Sequence, residues 1–139
     1  MESRLYWKQG NMYERFEMNM NVLFVASEMT PFIKTGGLGD VVGALPKSLV
    51  NQGVTVKAII PLYSAIDYRK YTLYRVMDGN CVAMGNCHEF FCVHRSDYVP
   101  GVETYFVEFN KYFDRNGIYD DQWSHVAFQD NAYRYAFFV

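Results

Sequence analysis

The chain has 139 residues, the size of one domain rather than two. Half of it is hydrophobic and 18% is aromatic, which excludes a disordered segment. A net charge of −2 and a pI of about 5.9 exclude a broad basic surface, and with it nucleic acid as the main partner, while leaving room for a local basic pocket.

In chain order, Met1 to Met20 lacks the apolar core of a signal peptide, and its Glu2, Glu14 and Glu17 are residues a transit peptide avoids. Met20-Asn21-Val22 reads as a natural start, so residues 1–19 are expected to be an extension, a tag or a misassigned start. No later run is long enough to cross a membrane. Asn21 to Ser27 is predicted as the first strand, and its continuous Val22-Leu23-Phe24-Val25 predicts cover on both faces, as in a parallel sheet. Glu28 to Gly39 is a loop punctuated by Pro31 and three glycines. Leu38, Val41, Val42, Leu45 and Leu49 then recur in steps of three and four, which predicts one apolar helix face. Pro46 is expected to kink or break that helix, and Gly53 to stop it.

Val54 to Ile60 is predicted as the second strand, closing a right-handed βαβ unit before Pro61. Tyr63 to Lys70 is a polar connection with room for a helical turn. Strands follow at Thr72–Met77, Cys81–Met84, Cys87–His94 and Val102–Phe109, separated by Asp78-Gly79-Asn80, Gly85-Asn86 and Pro100-Gly101. Their close spacing predicts hairpins inserted into, or appended to, the parallel sheet. Asn110 to Asp121 reads as loop and His125 to Val139 as a helix with an abrupt apolar end, Ala136-Phe137-Phe138-Val139. Cys81, Cys87 and Cys92 lack the paired spacing of zinc sites and read as free thiols on strands of a protein in a reducing cytosol. His88, His94 and His125 also lack ligand spacing.

The chemistry concentrates in Lys34-Thr35-Gly36-Gly37-Leu38-Gly39-Asp40, a glycine-rich loop between the first strand and the helix. Such loops let backbone N–H groups approach an anion, and the helix start adds partial positive charge. The glycines do not fit G-x-G-x-x-G, and Ile60-Pro61 stands where a dinucleotide site needs an acid for the ribose. A G-x-x-x-x-G-K-[ST] phosphate loop is absent too.

The string from Val22 to Lys47, VLFVASEMTPFIKTGGLGDVVGALPK, resembles the N-terminal start of glycogen and starch synthases. Ser27-Glu28, Pro31, the Lys34–Asp40 block and Gly43-Ala44-Leu45-Pro46 stand in family order, as do Ile60-Pro61-Leu62-Tyr63, Tyr112 to Tyr119 and Asp130 to Tyr135. That family transfers glucose with retention from a nucleotide sugar, typically ADP-glucose, to the non-reducing end of an α-1,4-glucan. The resemblance implies an α/β fold of two Rossmann-like domains facing each other across a cleft, the GT-B arrangement. Residues 20–139 would supply the front part of the first domain, with β-hairpin insertions, and the second domain would be absent. The family's catalytic histidine, arginine, lysine and glutamate would then lie beyond Val139, and this chain alone is expected to be inactive.

By the same resemblance Lys34 contacts the donor diphosphate, and Gly36, Gly37 and Gly39 form a tight turn at positive φ that aims N–H groups at it. Asp40 is either a helix-start carboxylate or a partner of sugar hydroxyls, and Tyr119 either stacks on a sugar near the acceptor cleft or packs as an ordinary aromatic. The partners implied are ADP-glucose, a glycogen or starch acceptor and the missing C-terminal domain, without nucleic acid, membrane, metal or redox cofactor. The implied location is the cytoplasm, or the plastid for a plant protein. The alternative is a non-catalytic glucan-binding or split-enzyme module.

Overall fold

The computed structural model describes the backbone of residues 3–8 and 11–16 and the whole of residues 20–139. Strands β1 (Ser3–Lys8) and β2 (Asn11–Phe16) pair antiparallel from Ser3↔Phe16 to Lys8↔Asn11, as a separate two-stranded sheet. This hairpin was not expected. Its composition carries the signal, since Leu5, Tyr6, Trp7 and Tyr13 all favour extended chain.

The main sheet has five strands in the order β3-β4-β7-β6-β5: β3 (Asn21–Val25), β4 (Thr55–Pro61), β5 (Tyr74–Met84), β6 (Cys87–Ser96) and β7 (Val102–Glu108). β3, β4 and β7 run parallel, and β6 and β5 fold back antiparallel. The hairpin is thus appended to one side of a parallel sheet, and the class is mixed α/β, that of a partial Rossmann-like domain.

Register explains the burial. Val56, Ala58 and Ile60 of β4 align with Val102, Thr104 and Phe106 of β7, and all six are buried. Helix α1 (Gly37–Asn51) crosses between β3 and β4 and packs on β4 and β7 through its buried side, which includes Val42 and Pro46. Phe32 meets Phe106 edge to face at 5.0 Å on this side of the sheet. The opposite face begins with Leu23 and Val25 of β3 beside Lys57 and Ile59 of β4. Leu23 is 58% exposed and Val25 52%, so β3 is not covered on both faces as expected. Nothing among residues 20–139 packs over that end of the sheet, whereas the apolar run of β3 suits a strand buried from both sides.

Further along the same face the aromatic cluster closes. Helix α2 (Asn110–Phe113), a single turn in a segment read as loop, supplies Tyr112 and Phe113. Helix α3 (Asn131–Phe138) brings Phe137 into contact with Phe91, Phe109, Tyr112 and Phe113. The apolar terminus is therefore folded into the core, with Phe137 buried and Val139 left exposed.

Other boundaries also moved. α1 continues through Pro46 to Asn51, because the proline ring is itself buried and its packing offsets the missing N–H. Gly53 stops the helix as expected, at φ +86° with its N–H on Val50 O. Asp78-Gly79-Asn80 is not a turn. β5 runs straight through it with register shifts between Arg75 and Asn80, and Gly79 takes φ +66°. That is a bulge, which uses the same glycine chemistry as a turn. α3 starts only at Asn131, because the Asp121 carboxylate takes the N–H groups of Trp123 and Ser124 and His125 adopts φ +54°. Cys81, Cys87 and Cys92 are free and lie on β5 and β6. His94 is buried with Nε2 2.7 Å from Glu108 Oε2. No helix among the described residues is long and apolar enough to cross a membrane.

Candidate functional site

The site forms where β3 and β4 end. Ligands in open α/β sheets bind outside the carboxyl ends of the strands, and the loops carrying Lys34–Asp40 and Pro61–Tyr63 leave the sheet there. The chain turns after β3 through an isolated bridge between Met29 and Ile33, with the Thr30 N–H on Gly39 O at 3.0 Å. These bonds fold the loop back over the start of α1.

Glu28 organises it. Its side chain is buried, and it accepts from Thr35 N–H at 2.5 Å, Thr35 Oγ1 at 2.9 Å, Gly36 N–H at 3.2 Å and Tyr119 OH at 2.7 Å. Burial pushes the Glu28 carboxyl up, but these hydrogen bonds outweigh it and hold the group below the ordinary glutamate value. Tyr119 also shares a hydrogen bond with Ser27 Oγ at 2.5 Å. Desolvation, chiefly, raises its phenol above the ordinary tyrosine value. Asn131 Nδ2 donates to Tyr119 O, and the buried Arg134 donates to Tyr112 O, Ile118 O and Asn131 Oδ1. The 112–119 segment is thereby fastened to α3 on one side and to the glycine loop on the other.

Lys34 and Asp40 are brought together. Lys34 Nζ donates to both Asp40 oxygens, at 2.9 and 3.0 Å, and Thr30 Oγ1 adds a longer contact at 3.3 Å. The bond from Lys34, first, holds the Asp40 carboxyl below its usual value. Both side chains are more than half exposed, so water competes for the pair and an incoming anion can displace Asp40 at little cost.

The glycines have other reasons than the one expected. None of Gly36, Gly37 and Gly39 has positive φ, and Gly36 is extended at φ −154°. A Cβ at Gly39 would lie 2.6 Å from Lys34 Cβ, and one at Gly43 would lie 2.6 Å from Thr30 O, so these two permit the close crossing of loop and helix. A Cβ at Gly36 or Gly37 would meet nothing within 4 Å. There the missing side chain leaves space outside the fold. Gly37, Leu38 and Gly39 open α1, so their N–H groups precede the helical ladder, and the N-cap Gly36 has no side chain to take them. The result is an exposed ammonium beside a helix start, an arrangement that attracts phosphate.

A cavity of about 280 Å³ adjoins this loop, with Ser27, Pro61, Tyr63, Ile118, Tyr119 and Arg134 in its wall. Its lining is mostly apolar with a few convergent hydroxyl and guanidinium groups, the usual make-up of a small-molecule pocket. Of the sequence candidates, Lys34, Gly36, Gly37, Gly39, Asp40 and Tyr119 all fall in this one region. Glu28, which ties Tyr119 to the loop, was noticed only as part of a motif. An acid directly after a strand and before a glycine loop was the available signal.

Comparison with known proteins points the same way. Residues 21–139 match the family model described as the starch synthase catalytic domain. Glycogen synthase 1 of Geobacter sulfurreducens is 40% identical over 120 residues, covering 85% of this chain and 24% of that protein. A glycogen synthase of Clostridium botulinum is 43% identical over 119 residues, covering 86% and 23%. The catalytic domain of Starch Synthase IV from Arabidopsis thaliana, solved bound to ADP and acarbose, superposes with a TM-score of 0.67 at 25% identity, covering 86% of this chain and 24% of that one. The chain thus spans about a quarter of the length of these relatives. On the family match and on the glycine loop that β3 and α1 present, the chain belongs to the starch synthase catalytic domain family, the glycogen and starch synthases.

Proposed function

We propose that this chain forms the donor-diphosphate side of a glycogen or starch synthase site. Glucose passes there from ADP-glucose to the non-reducing end of an α-1,4-glucan with retention. The observation that carries the reading is the exposed Lys34 ammonium beside the first amides of α1, at the exposed Gly37 and Leu38. In the transfer, the bond from glucose C1 to the diphosphate oxygen breaks and ADP leaves with the electron pair. The acceptor's 4-hydroxyl joins C1 on the same face and gives its proton to the departing diphosphate oxygen. Negative charge grows on the departing diphosphate, and a fixed cation with oriented N–H groups stabilises it. Lys34 exchanges Asp40 for the phosphate, which frees Asp40 to accept from sugar hydroxyls. Tyr119 is held by Glu28 and Ser27 with its ring in the cavity wall, facing the acceptor side.

The ADP in the Arabidopsis structure supports an adenine nucleotide, and the names of the bacterial relatives support glycogen as product. Residues 20–139 act as part of the first of two Rossmann-like domains, residues 1–19 are an extension or a tag, and the protein works in the cytoplasm. The chain is inactive alone, since the groups that complete the cleft belong to the rest of the enzyme.

The test is transfer of radiolabelled glucose from ADP-glucose into ethanol-precipitable glycogen. This chain is assayed alone, and again mixed with a separately expressed C-terminal half of a related synthase. Turnover only in the mixture, lost on Lys34→Ala, is the expected result. Turnover by the chain alone overturns the account of the cleft. Glycogen co-sedimentation without turnover in either tube, from a folded chain, gives the site to a binding module instead.

A further inference from the structure

Glu28 has an arrangement that a merely buried acid does not need. It is 3% exposed, and its two oxygens collect four donors. Two of these are the consecutive backbone N–H groups of Thr35 and Gly36, at the entry to α1. A helix start with a glycine N-cap and no side-chain cap is conformationally loose, because nothing fixes the direction in which its first amides point. Here the carboxylate fixes the approach to the helix instead, holding the amides of Thr35 and the N-cap Gly36 from the end of β3.

The fourth donor is Tyr119, 91 residues further along. The same carboxylate therefore joins three pieces of chain: the end of β3, the glycine loop and the segment fastened to α3 by Asn131 and Arg134. The bond to Gly36 sets which amides remain. With Thr35 and Gly36 turned inward onto Glu28, the amides of the exposed Gly37 and Leu38 are the next in line, while Gly39 is buried. Gly39 also sits 3.4 Å (from the position of a Cβ) above Glu28 Oε2 and closer still to Lys34, so the loop has little freedom to slide.

We propose that Glu28 is a positioning residue for the anion site: it holds the Thr35 and Gly36 amides inward, and so aims the amides of Gly37 and Leu38 and the Lys34 side chain at the diphosphate, in register with Tyr119. This rests on the anion-site reading above, deepening it. Glu28 does not touch the ligand. It works through the loop, and its charge is spent on the loop's own amides rather than repelling a phosphate. A neutral amide of the same shape cannot match this. Glutamine keeps one carbonyl acceptor for the two amides but without the charge that strengthens those bonds, and its NH₂ group must donate to the hydroxyls of Thr35 and Tyr119, which forces both to turn their protons elsewhere.

The experiment uses the 139-residue chain and its Glu28→Gln and Glu28→Asp variants. Backbone amide exchange of Thr35 and Gly36 is followed by NMR, ADP is titrated against the amides of Gly37 and Leu38, and thermal unfolding is measured alongside. In Glu28→Gln the Thr35 and Gly36 amides are expected to exchange about tenfold faster or more, and ADP to bind about tenfold more weakly, while sheet amides keep their protection. Glu28→Asp, one methylene too short to reach both amides, behaves likewise. Unchanged Thr35 and Gly36 protection in Glu28→Gln overturns the proposal, and so does faster exchange with undiminished ADP affinity. Wild-type chain that binds no ADP, alone or mixed with the C-terminal half of a related synthase, refutes the anion-site reading and, with it, the positioning role. The exchange data then show separately whether Glu28 still caps the loop.

Discussion

Gly36 and Gly37 differ from Gly39 and Gly43 in the only way that matters for substitution, which is where an added methyl group would go. At Gly37 it meets nothing, and the position lies in the first turn of α1, where alanine is a better helix former. Gly37→Ala is therefore expected to leave the melting temperature unchanged or slightly raised while weakening ADP binding, because the methyl occupies the space left open for the phosphate. At Gly43 the same change drives Cβ to 2.6 Å from Thr30 O and 2.8 Å from Thr30 Cβ, against backbone that cannot step aside. Gly43→Ala should cost about 1–3 kcal/mol in thermal or urea unfolding. The reverse pattern, a destabilised Gly37→Ala with normal ADP affinity, would remove the argument that this glycine serves a ligand. The candidate residues themselves were legible because Lys34 to Asp40 are contiguous and their types announce an anion site. What was not legible was the reason for each glycine, which depends on how closely Thr30 and Lys34 cross α1. Nor was the role of Glu28, whose partners lie 7, 8 and 91 residues away.

Among the elements, those with strong periodicity or an apolar run were readable, and those decided by single side chains were not. β3, α1, β4, β6 and β7 fall within a few residues of expectation. The β5 bulge and the late start of α3 do not, because Gly79 serves a bulge as readily as a turn and Asp121 captures amides that a helix would otherwise use. α3 is short at 8 residues, too short to be stable by itself, so its docking has to come from packing. Phe137 provides it, stacked on Phe109 at 4.5 Å and edge-on to Phe91 and Tyr112. Phe137→Ala removes that anchor and should cost about 3–5 kcal/mol. Because Arg134 and Asn131 hold the 112–119 segment from the same helix, the damage should extend to the site, with exchange quickening at Phe128 and Tyr119 before the sheet opens. Loss confined to the last residues, with the sheet and loop at wild-type stability, would show that α3 is not what fixes Tyr119.

At the scale of the whole molecule, the sequence of β3 describes surroundings that this chain only half supplies. Val22 and Phe24 face α1 and are partly buried, while Leu23 and Val25 face out at 58% and 52% exposure on a strand whose far edge is unpaired in the sheet. On the other side of the sheet α1 leaves Leu38, Val41 and Leu45 each more than 40% exposed, although their helical spacing predicts a single apolar face. Periodicity reports which residues are apolar together, and it cannot say that two separate surfaces share one helix. Exposed apolar side chains and an open strand edge both favour association. The isolated 139-residue chain is therefore expected to bind a hydrophobic dye such as ANS and to self-associate as its concentration rises. Replacing Leu23 and Val25 together by threonine keeps β-branched or strand-compatible side chains on the exposed face, so stability should stay within about 1 kcal/mol. Dye fluorescence and the apparent mass in sedimentation should both fall. If the double variant associates as strongly as the wild type, the adhesive surface lies elsewhere, and Trp123 and Tyr133, exposed outside this face, are the next to exchange. If the wild type is monomeric and dark with the dye, the outward residues of β3 and α1 are ordinary solvated side chains, and the apolar run of β3 implies nothing about a second covering layer.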